Sequence, residues 1–392
     1  MFVIRKMTQD PEVLTPSAPK RFLARCASAL YDRVFKRLAF RRSEWRRHFF
    51  PYWDVPGSKD ILKMDIPKPD LIIVYYVADF LSAKALLEIQ QHFKAPMAFY
   101  LMDAAMLTGG CHYPWDCTQY QDSCHACPIF RWPGVFDLSG RVWRERMEAF
   151  SLLDYSIIAG SRWLDDMTRR SALHRGRAIS RVLIGINQDL FKPREKSAAA
   201  HALGADSLAE SFVIYFGAQD VTDPRKGFTY LYQALKRLRS LLTDDEASRI
   251  TLLTVGARSA EPLAGLDFKL VAIPYLHDRK LFPMTYNASD VFICPSVEDA
   301  GPMMINESMM SGCPVIAFRM GVAEDLVVPG ESGQLLDVFD SEGLANAICQ
   351  MFRLPVAGRK ALGAQARERA LELSTPEVQV RGIENLVASW KE

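Results

Sequence analysis

Short apolar runs alternate with helical patterns along most of the chain. In the second half, the β-rich runs are residues 211–218, 250–257, 268–276, 290–296 and 313–319. The helical patterns there cover about Gly227–Leu242, Lys280–Ala288, Met303–Ser311 and Ser341–Phe352. The first half repeats this less cleanly, with predicted strands in 71–77, 95–103, 155–161 and 181–186 and predicted helices over Leu81–His92, Arg141–Leu153 and Arg162–Ser171. This alternation predicts two doubly wound, Rossmann-like α/β domains with parallel sheets.

A polar stretch with a proline, Asp189–Ala200, separates the two sets of elements. It predicts an N-terminal domain of residues 1–190, a linker of 191–200 and a second domain of 201–373. Residues 374–392 are predicted to form a helix that packs back on the N-terminal domain. Two such domains that face each other bind ligands at the carboxyl ends of their strands, in the cleft between them.

Composition supports a globular protein. The 392 residues are 49% hydrophobic and 24% charged, and no run of apolar residues reaches the length of a membrane-spanning helix. The start, MFVIRKMTQDPEV, lacks the regions of a signal peptide. We therefore expect a cytoplasmic protein whose cysteines are not in disulfides.

A basic segment stands out against the chain's formal net charge of +2. Ten basic and two acidic residues lie between Lys20 and Arg47, and the remainder of the chain is net acidic. An apolar stripe with helical spacing runs through the segment at Phe22, Leu23, Cys26, Ala27, Leu30, Tyr31, Val34, Phe35 and Leu38. A basic amphipathic helix over about 19–47 is typical of a helix that lies on anionic lipid. Packing of the stripe on its own domain is the alternative. Nucleic-acid binding is not expected, because no base-reading module accompanies the segment.

Residues 295–318 combine carboxylates with a helix start. A predicted strand ends in a loop that bears Glu298 and Asp299, and the helix that follows carries Glu307. The N-terminus of a helix binds anions through unpaired backbone N–H groups. Carboxylates repel phosphates, so their expected targets are hydroxyl groups of a ribose and a sugar.

Four neighbouring residues complete this predicted anion site. Gly301 allows close approach of the loop, and Pro302 suits the first helical position. The backbone N–H groups of Met303 and Met304 would then bind a diphosphate.

This segment resembles the Glu-x7-Glu signature of family 4 glycosyltransferases, retaining enzymes of the GT-B fold. Glu307 matches the second acid, which places Asp299 at the first position. Glu298 lies one residue too early and is the alternative first acid. The resemblance implies that the first acid contacts hydroxyls of the donor sugar and that Glu307 binds the ribose.

A second match covers residues 215–238. The resemblance implies that Lys226, and with it Arg225, balances the donor phosphates and stabilises the leaving nucleoside diphosphate. The family usually has its arginine about five residues before this lysine, whereas Arg225 is adjacent to it. Strand ends of the same domain resemble the family's donor-binding edge at Gly217, Gly256 and Leu276. His277, which follows, is more simply explained as a surface histidine.

The first domain departs from the family in two places. Its usual first strand and Gly-rich loop have no counterpart before MFVIRKMTQDPEV, which resembles the second strand. Many relatives carry a donor-contacting histidine where Met102 stands, so we expect Asp103 to take a catalytic role. Gly109 and Gly110 are expected to bring backbone close to the acceptor side.

Four cysteines lie close together at Cys111, Cys117, Cys124 and Cys127. Four thiolates satisfy tetrahedral zinc, and Cys-x2-Cys is a common half-site, so a structural zinc is predicted. Disulfides, reduced thiols or another metal centre are the alternatives. The block resembles the TGGCHY-containing subset of the family that is linked to exopolysaccharide and capsule assembly.

The resemblance implies a metal-independent, retaining glycosyltransferase that needs no cofactor for catalysis. The expected donor is a nucleoside-diphosphate sugar, and the expected acceptor is a hydroxyl of a lipid-linked saccharide. The enzyme would lie on the inner face of the cell membrane. The alternative is a non-catalytic GT-B scaffold that binds a donor or a partner glycosyltransferase.

Overall fold

The computed structural model describes residues 57–390 except 77–79, 133, 135–136, 218–221, 257–262 and 264, together with 13–15, 22–23, 26, 29–30, 34 and 40. The chain divides into two compact units. Unit 1 comprises Met1–Ala159 and Leu164–Ser180, and unit 2 comprises Gly160–Trp163 and Arg181–Glu392. The division therefore precedes the predicted linker 191–200, whose last residues begin a helix of unit 2, and residues 374–392 are grouped with unit 2.

The first sheet has four strands among the described residues, in the order β1-β2-β3-β4. Its strands are β1 (Ile72–Val74), β2 (Met97–Leu101), β3 (Tyr155–Ala159) and β4 (Ile179–Arg181). The described α-helices in this part of the chain are α1 (Ser58–Leu62), α2 (Ala83–Phe93), α3 (Leu138–Leu152) and α4 (Arg162–Arg170). Strand β2 pairs in parallel with β1 and with β3, as the strand–helix alternation predicts.

The second sheet has six described strands and belongs to unit 2. Its strands are β5 (Phe212–Gly217), β6 (Ile250–Val255), β7 (Lys269–Ile273), β8 (Val291–Cys294), β9 (Val315–Phe318) and β10 (Gly333–Leu336). The first helices of the unit are α5 (Lys196–Ala202), α6 (Phe228–Leu241), α7 (Asp244–Ser248), α8 (Phe282–Asn287) and α9 (Met303–Met310). The last are α10 (Ala323–Leu326), α11 (Ser341–Arg353), α12 (Val356–Leu373) and α13 (Pro376–Ser389).

The strand order of the second sheet, β10-β9-β8-β5-β6-β7, reverses direction at β5. The chain winds from β5 outward to β7 and then returns to place β8 on the other side of β5, where Ile214 pairs with Val291 in parallel. Ligand sites of open α/β sheets form at such a switch point, beyond the carboxyl ends of the strands. The loops that follow β5 and β8 are therefore neighbours. The predicted fold class, two parallel-sheet α/β domains, is confirmed.

The buried strands explain why the sequence pattern was informative. All residues of β2, β3, β6, β8 and β9 are buried, so these strands appear as continuous apolar runs. The run 181–186 differs from its prediction, because the strand there ends at Arg181 while Leu183 and Ile186 join the core of unit 2. Helices α1, α5, α7, α10 and α12 and strand β10 are not among the predicted elements.

Most of the predicted basic helix 19–47 lies outside the described residues, as does the segment MFVIRKMTQDPE. Five stripe residues are described, and all five are exposed: Phe22, Leu23, Cys26, Leu30 and Val34. Within the described parts of the chain, no helix combines the length and the apolar character needed to cross a membrane.

Candidate active site

A lysine–carboxylate cluster lies where the loops after β5 and β8 meet in unit 2. We define it as Asp223, Arg225, Lys226 and Asp299. Lys226 Nζ lies 2.6 Å from Asp299 Oδ2, although the two residues are 73 positions apart. The backbone joins the loops as well, since Val297 N–H donates to the carbonyl of Arg225 at 2.8 Å. The structure thus brings the two sequence motifs together at the switch point.

Gly227 makes this close approach feasible. It ends the 3₁₀ turn Pro224–Lys226 in the left-handed region, with φ of 65°. A Cβ at this position would lie 1.7 Å from the carbonyl oxygen of Pro295. Only glycine satisfies both the positive φ and the contact, so the glycine after Lys226 is required by the geometry of the loop pair.

Arg225 and Lys226 are adjacent but have different surroundings. The Arg225 guanidinium is buried and donates to Asp223 Oδ2 at 2.9 Å and to the Glu298 carbonyl at 3.2 Å. Its Nη1 also lies 3.9 Å from Asp299 Oδ2. The side chain of Lys226 is 30% exposed. Arg225 therefore holds the loop after β8 through buried hydrogen bonds, whereas the charge of Lys226 lies at the surface of the cluster.

Helix α9 begins at Met303, directly after this loop. Pro302 is its N-cap, with an extended ψ of 102°, rather than the first helical residue as predicted. The Oδ1 of Asp299 accepts a bond from Gly301 N–H at 3.4 Å, which holds the loop at the helix start. Met303 and Met304 are the first two residues of the helix. Their N–H groups have no acceptor within the helix, and the helix dipole favours an anion there.

Glu307 differs from Asp299 in its partners. Asp299 is paired with Lys226, but within the described parts of the chain no lysine or arginine forms an ion pair with Glu307. Its Oε2 instead accepts a bond from the Tyr286 hydroxyl at 2.7 Å. Burial raises the pKa of Glu307 to about 7, against the opposing effect of that hydrogen bond. Glu307 is thus a carboxyl group that changes charge near neutral pH.

The remaining predicted donor-side residues of unit 2 lie near strand ends. A Cβ on Gly217, which ends β5, would lie 2.8 Å from Met304 Cε, so the strand end contacts the start of α9. Gly256 follows β6 and donates to the Ile273 carbonyl at 3.1 Å. Leu276 packs on the core, and Glu298 is buried. His277 is exposed, in keeping with a surface histidine.

In unit 1, Asp103 follows β2 and belongs to an imidazole–carboxylate pair, which we define as Asp103 and His112. Asp103 Oδ2 lies 2.6 Å from His112 Nδ1, and Oδ1 accepts from Ala105 N–H at 2.8 Å. Sequence reasoning named Asp103 but did not pair it with His112. The histidine of the TGGCHY segment, nine residues later, was the available signal.

The two glycines of that segment pack internally. A Cβ on Gly109 would lie 2.4 Å from the Ser139 carbonyl oxygen and 2.7 Å from Cys124 Cβ. Gly110 N–H donates to Thr108 Oγ1 at 3.1 Å. Gly109 therefore lets the loop pack closely against the start of α3 and the cysteine block.

All four clustered cysteines are free thiols in the structure. The Gly109 N–H donates to Cys124 Sγ at 3.2 Å, and burial raises the pKa of Cys124 to about 12. Of the residues that the structure describes, no three His, Cys, Asp or Glu side chains form a group that could hold a metal ion. We therefore assign no role to a metal here, and zinc remains a prediction from the cysteine spacing.

A match to a protein family covers part of unit 2. Residues 210–353 match the family described as Glycosyl transferases group 1. This range contains both the lysine–carboxylate cluster and Glu307. This part of unit 2 is therefore similar to the Glycosyl transferases group 1 family.

Three curated relatives are similar over part of their length. The chain is 30% identical over 242 residues to D-inositol 3-phosphate glycosyltransferase of Geodermatophilus obscurus, covering 57% of this chain and 50% of the relative. It is 28% identical over 249 residues to MMP alpha-(1->4)-mannosyltransferase of Mycolicibacterium hassiacum, covering 62% and 54%. Phosphatidyl-myo-inositol mannosyltransferase of Mycobacterium leprae is 28% identical over 220 residues, covering 54% and 55%. The chain thus spans about half the length of the curated relatives it matches.

Solved structures share the fold. Sucrose-phosphate synthase from Thermosynechococcus elongatus superposes with a TM-score of 0.61 at 20% identity, covering 82% of this chain and 73% of that chain. HepE of Anabaena, in complex with UDP and glucose, gives a TM-score of 0.57 at 19% identity, covering 81% and 78%. At this identity the similarity establishes the fold alone.

Proposed function

We propose that this protein is a retaining glycosyltransferase that transfers a sugar from a nucleoside-diphosphate donor to a hydroxyl of a lipid-linked saccharide. The single observation that carries the proposal is the 2.6 Å contact between Lys226 and Asp299 at the switch point of the second sheet. It joins a cation, a carboxylate and the start of α9 in one site. The Glycosyl transferases group 1 match over 210–353 supports the same activity.

Each group of the site has a chemical role in this proposal. Lys226 carries three N–H donors, so one can hold Asp299 while others contact the diphosphate. As the glycosidic bond to the diphosphate breaks, negative charge develops on the leaving oxygen. Lys226 and the N-terminus of α9 stabilise that charge. Arg225 does not contact the donor in this proposal. Its buried guanidinium holds the loop that carries Asp299.

The carboxyl groups of Asp299 and Glu307 are proposed to bind hydroxyl groups of the donor. Asp299, the first acid of the motif, accepts hydrogen bonds from the donor sugar, and Glu307 accepts them from the ribose. We assign no protein carboxylate as a covalent nucleophile. Positioning and charge stabilisation supply the rate enhancement, and no divalent cation is needed.

A ligand-binding experiment tests the donor assignment. Thermal shift and calorimetry with UDP, GDP and their sugars should find one nucleotide that binds the parent protein. Lys226→Ala should lower the affinity for that nucleotide at least tenfold, because it removes the partly exposed cation of the cluster. Lys236→Ala, an exposed lysine on α6, is the matched control and should bind as the parent does.

Turnover separates an enzyme from a scaffold. We expect release of nucleotide from the matching sugar donor, and we expect it to persist in excess chelator. A parent protein that binds the donor yet never releases nucleotide would support the non-catalytic alternative. Loss of turnover on chelation would contradict metal independence.

The acceptor and the membrane surface are the finer part of the proposal. The name of the Mycobacterium leprae relative includes a phosphatidyl lipid, which supports a lipid-linked acceptor. In the basic segment, the exposed side chains of Phe22, Leu23, Leu30 and Val34 support contact with lipid. We place the protein on the inner face of the cell membrane.

Vesicle sedimentation tests the membrane contact. The parent should sediment with vesicles that contain anionic lipid and not with neutral ones. Replacement of the basic residues between Lys20 and Arg47 by glutamine should abolish this binding, because each cation near the surface contributes about 1 kcal/mol. In the control, the exposed Arg141 and Arg144 of α3 are replaced by glutamine, and this variant should sediment as the parent does. Equal sedimentation of the parent and the glutamine variant would contradict the assignment.

A further inference from the structure

A buried tyrosine supports the carboxyl group of Glu307. Tyr286 lies on α8 and Glu307 on α9, and the Tyr286 hydroxyl donates to Glu307 Oε2 at 2.7 Å. The bond therefore joins two helices rather than two turns of one helix. Among the described residues, the Glu307 side chain has no other hydrogen bond and no ion pair. Its orientation depends on this one contact with Tyr286.

Aromatic packing holds the Tyr286 ring in place. The residue has no exposed surface. Its ring meets Tyr215 of β5 at 5.3 Å between centroids and Phe292 of β8 at 5.7 Å, edge-on in both cases. Such edge-to-face contacts are favourable at these separations. Strands β5 and β8 are the two that flank the switch point, so the hydroxyl is held by the same strands that carry the lysine–carboxylate cluster.

The Tyr286 hydroxyl remains a donor at neutral pH. Burial raises its pKa well above the ordinary value. The titratable side chains that act on Tyr286, besides Glu307, are Tyr215 and Cys313. Burial raises the pKa of Tyr215 as well, and it raises the pKa of Cys313 to about 12. Glu307 is therefore the group of this set that ionises, and the protonated phenol has one O–H to donate to it.

The bond leaves one oxygen of Glu307 for a ligand. An ionised carboxyl group accepts hydrogen bonds at both oxygens. Oε2 faces Tyr286, whereas Oε1 has no hydrogen-bond partner within the part of the chain that the structure describes. Because a carboxyl group is planar and rigid, holding Oε2 limits the positions that Oε1 can take. Recognition of a hydroxyl group benefits from an acceptor that is oriented in advance.

We propose that Tyr286 is a positioning residue that makes the site selective for donors with an intact ribose. It acts through Glu307: by holding Oε2, it directs Oε1 at a ribose hydroxyl. This inference rests on the proposed function, which assigns the ribose to Glu307. A site built to bond a hydroxyl discriminates against a ligand that lacks it, because the acceptor is then left unpaired. Without the Tyr286 hydroxyl, Glu307 samples more orientations and this discrimination falls.

Calorimetric titrations with ribose-modified nucleotides test the positioning role. The probes are UDP, GDP and the 2′,3′-dideoxy analogue of each. The variant Tyr286→Phe keeps the ring and removes the hydroxyl. Tyr155→Phe is the matched control, because Tyr155 is also buried and its hydroxyl lies 2.9 Å from His174 Nδ1, but in unit 1. Thermal unfolding verifies the fold of each variant, and Tyr286→Met replaces the phenylalanine variant if that protein does not fold.

We expect the parent to bind the matching ribonucleotide about twentyfold more tightly than its dideoxy analogue. Tyr286→Phe should lower the affinity for the ribonucleotide about fivefold and leave the affinity for the analogue unchanged. Tyr155→Phe should bind both as the parent does. In a Glu307→Ala background, adding Tyr286→Phe should cause no further loss, because Tyr286 acts through Glu307.

Three results would overturn the positioning role. Unchanged ribonucleotide affinity in Tyr286→Phe would show that the hydroxyl is not needed. An equal loss for the ribonucleotide and the analogue would show a structural effect without selectivity. Equal affinity of the parent for both would remove the ribose from the site. Failure of the proposed function has a different signature, because the parent then binds none of the nucleotides, and the inference fails with it.

Discussion

The lysine–carboxylate cluster of unit 2 and the imidazole–carboxylate pair of unit 1 both lie just beyond a parallel strand, but they are built differently. The cluster joins two loops 73 residues apart, because the strand order reverses between β5 and β8. The pair joins Asp103 and His112, which share one loop after β2. The four described strands of the first sheet show no reversal. Topology creates the first site, and a single folded loop creates the second.

Gly227→Ala should have the largest effect. It should disturb the lysine–carboxylate cluster of unit 2 and leave the imidazole–carboxylate pair of unit 1 intact. The new Cβ adds steric strain at φ of 65° and overlaps the Pro295 carbonyl at 1.7 Å. We expect a loss on the order of 4 kcal/mol in the free energy of unfolding, or a local shift that separates Lys226 from Asp299. Urea unfolding and nucleotide affinity measure the two outcomes.

Gly204→Ala is the matched control for this substitution. Gly204 has nearly the same φ, 66°, but a Cβ there would meet nothing within 4 Å. Its expected cost is the backbone strain alone, about 1–2 kcal/mol. Similar losses for the two variants would show that the contact with Pro295 does not matter.

Glu307 sharpens the comparison, because no lysine or arginine among the described residues forms an ion pair with it. Its pKa of about 7 in the folded state exceeds its ordinary value of 4.5, so the folded protein binds more protons between these values. Stability should therefore fall as pH rises through this window, by about 2–3 kcal/mol. Glu307→Gln should remove this loss and be more stable than the parent at pH 8.

Urea unfolding at pH 5 and pH 8 measures this difference. Glu368→Gln, an exposed position on α12, serves as the control and should follow the parent. A parent whose stability changes with pH no differently from Glu307→Gln would contradict the assigned pKa.

Gly109→Ala should have the smaller effect and act on the loop of unit 1. Its Cβ would press on the Ser139 carbonyl and on Cys124, at a cost of about 2 kcal/mol from overpacking. The affinity for nucleotide, which depends on unit 2, should not change. Gly358→Ala on α12, whose nearest neighbour is Leu354 at 3.7 Å, should instead stabilise by about 0.5–1 kcal/mol. Unfolding curves that order the two variants the other way would contradict the packing argument.

Two contrasting cases show how far the sequence predicted the structure. The helix predicted over Ser341–Phe352 is observed as Ser341–Arg353, because its apolar positions recur with helical spacing and Asp340 caps it. The run 181–186 predicted a strand because it is apolar, but Leu183 and Ile186 are buried in the core without strand pairing. The spacing of apolar residues indicates which positions are buried. Whether such a run forms a strand depends on its having a hydrogen-bonded neighbour in the folded protein.

The sequence by itself determined the alternation of strands and helices, the position of α9 and the identity of Lys226, Asp299 and Glu307 as candidates. These depend on local spacing and on residue chemistry. Only the tertiary structure decided that Arg225 is buried and holds the loop after β8, whereas Lys226 is partly exposed. The reason is that the surroundings of both side chains are supplied by that loop, which is distant in the sequence. It also decided that His112 accompanies Asp103, since the fold of their loop brings the two side chains together.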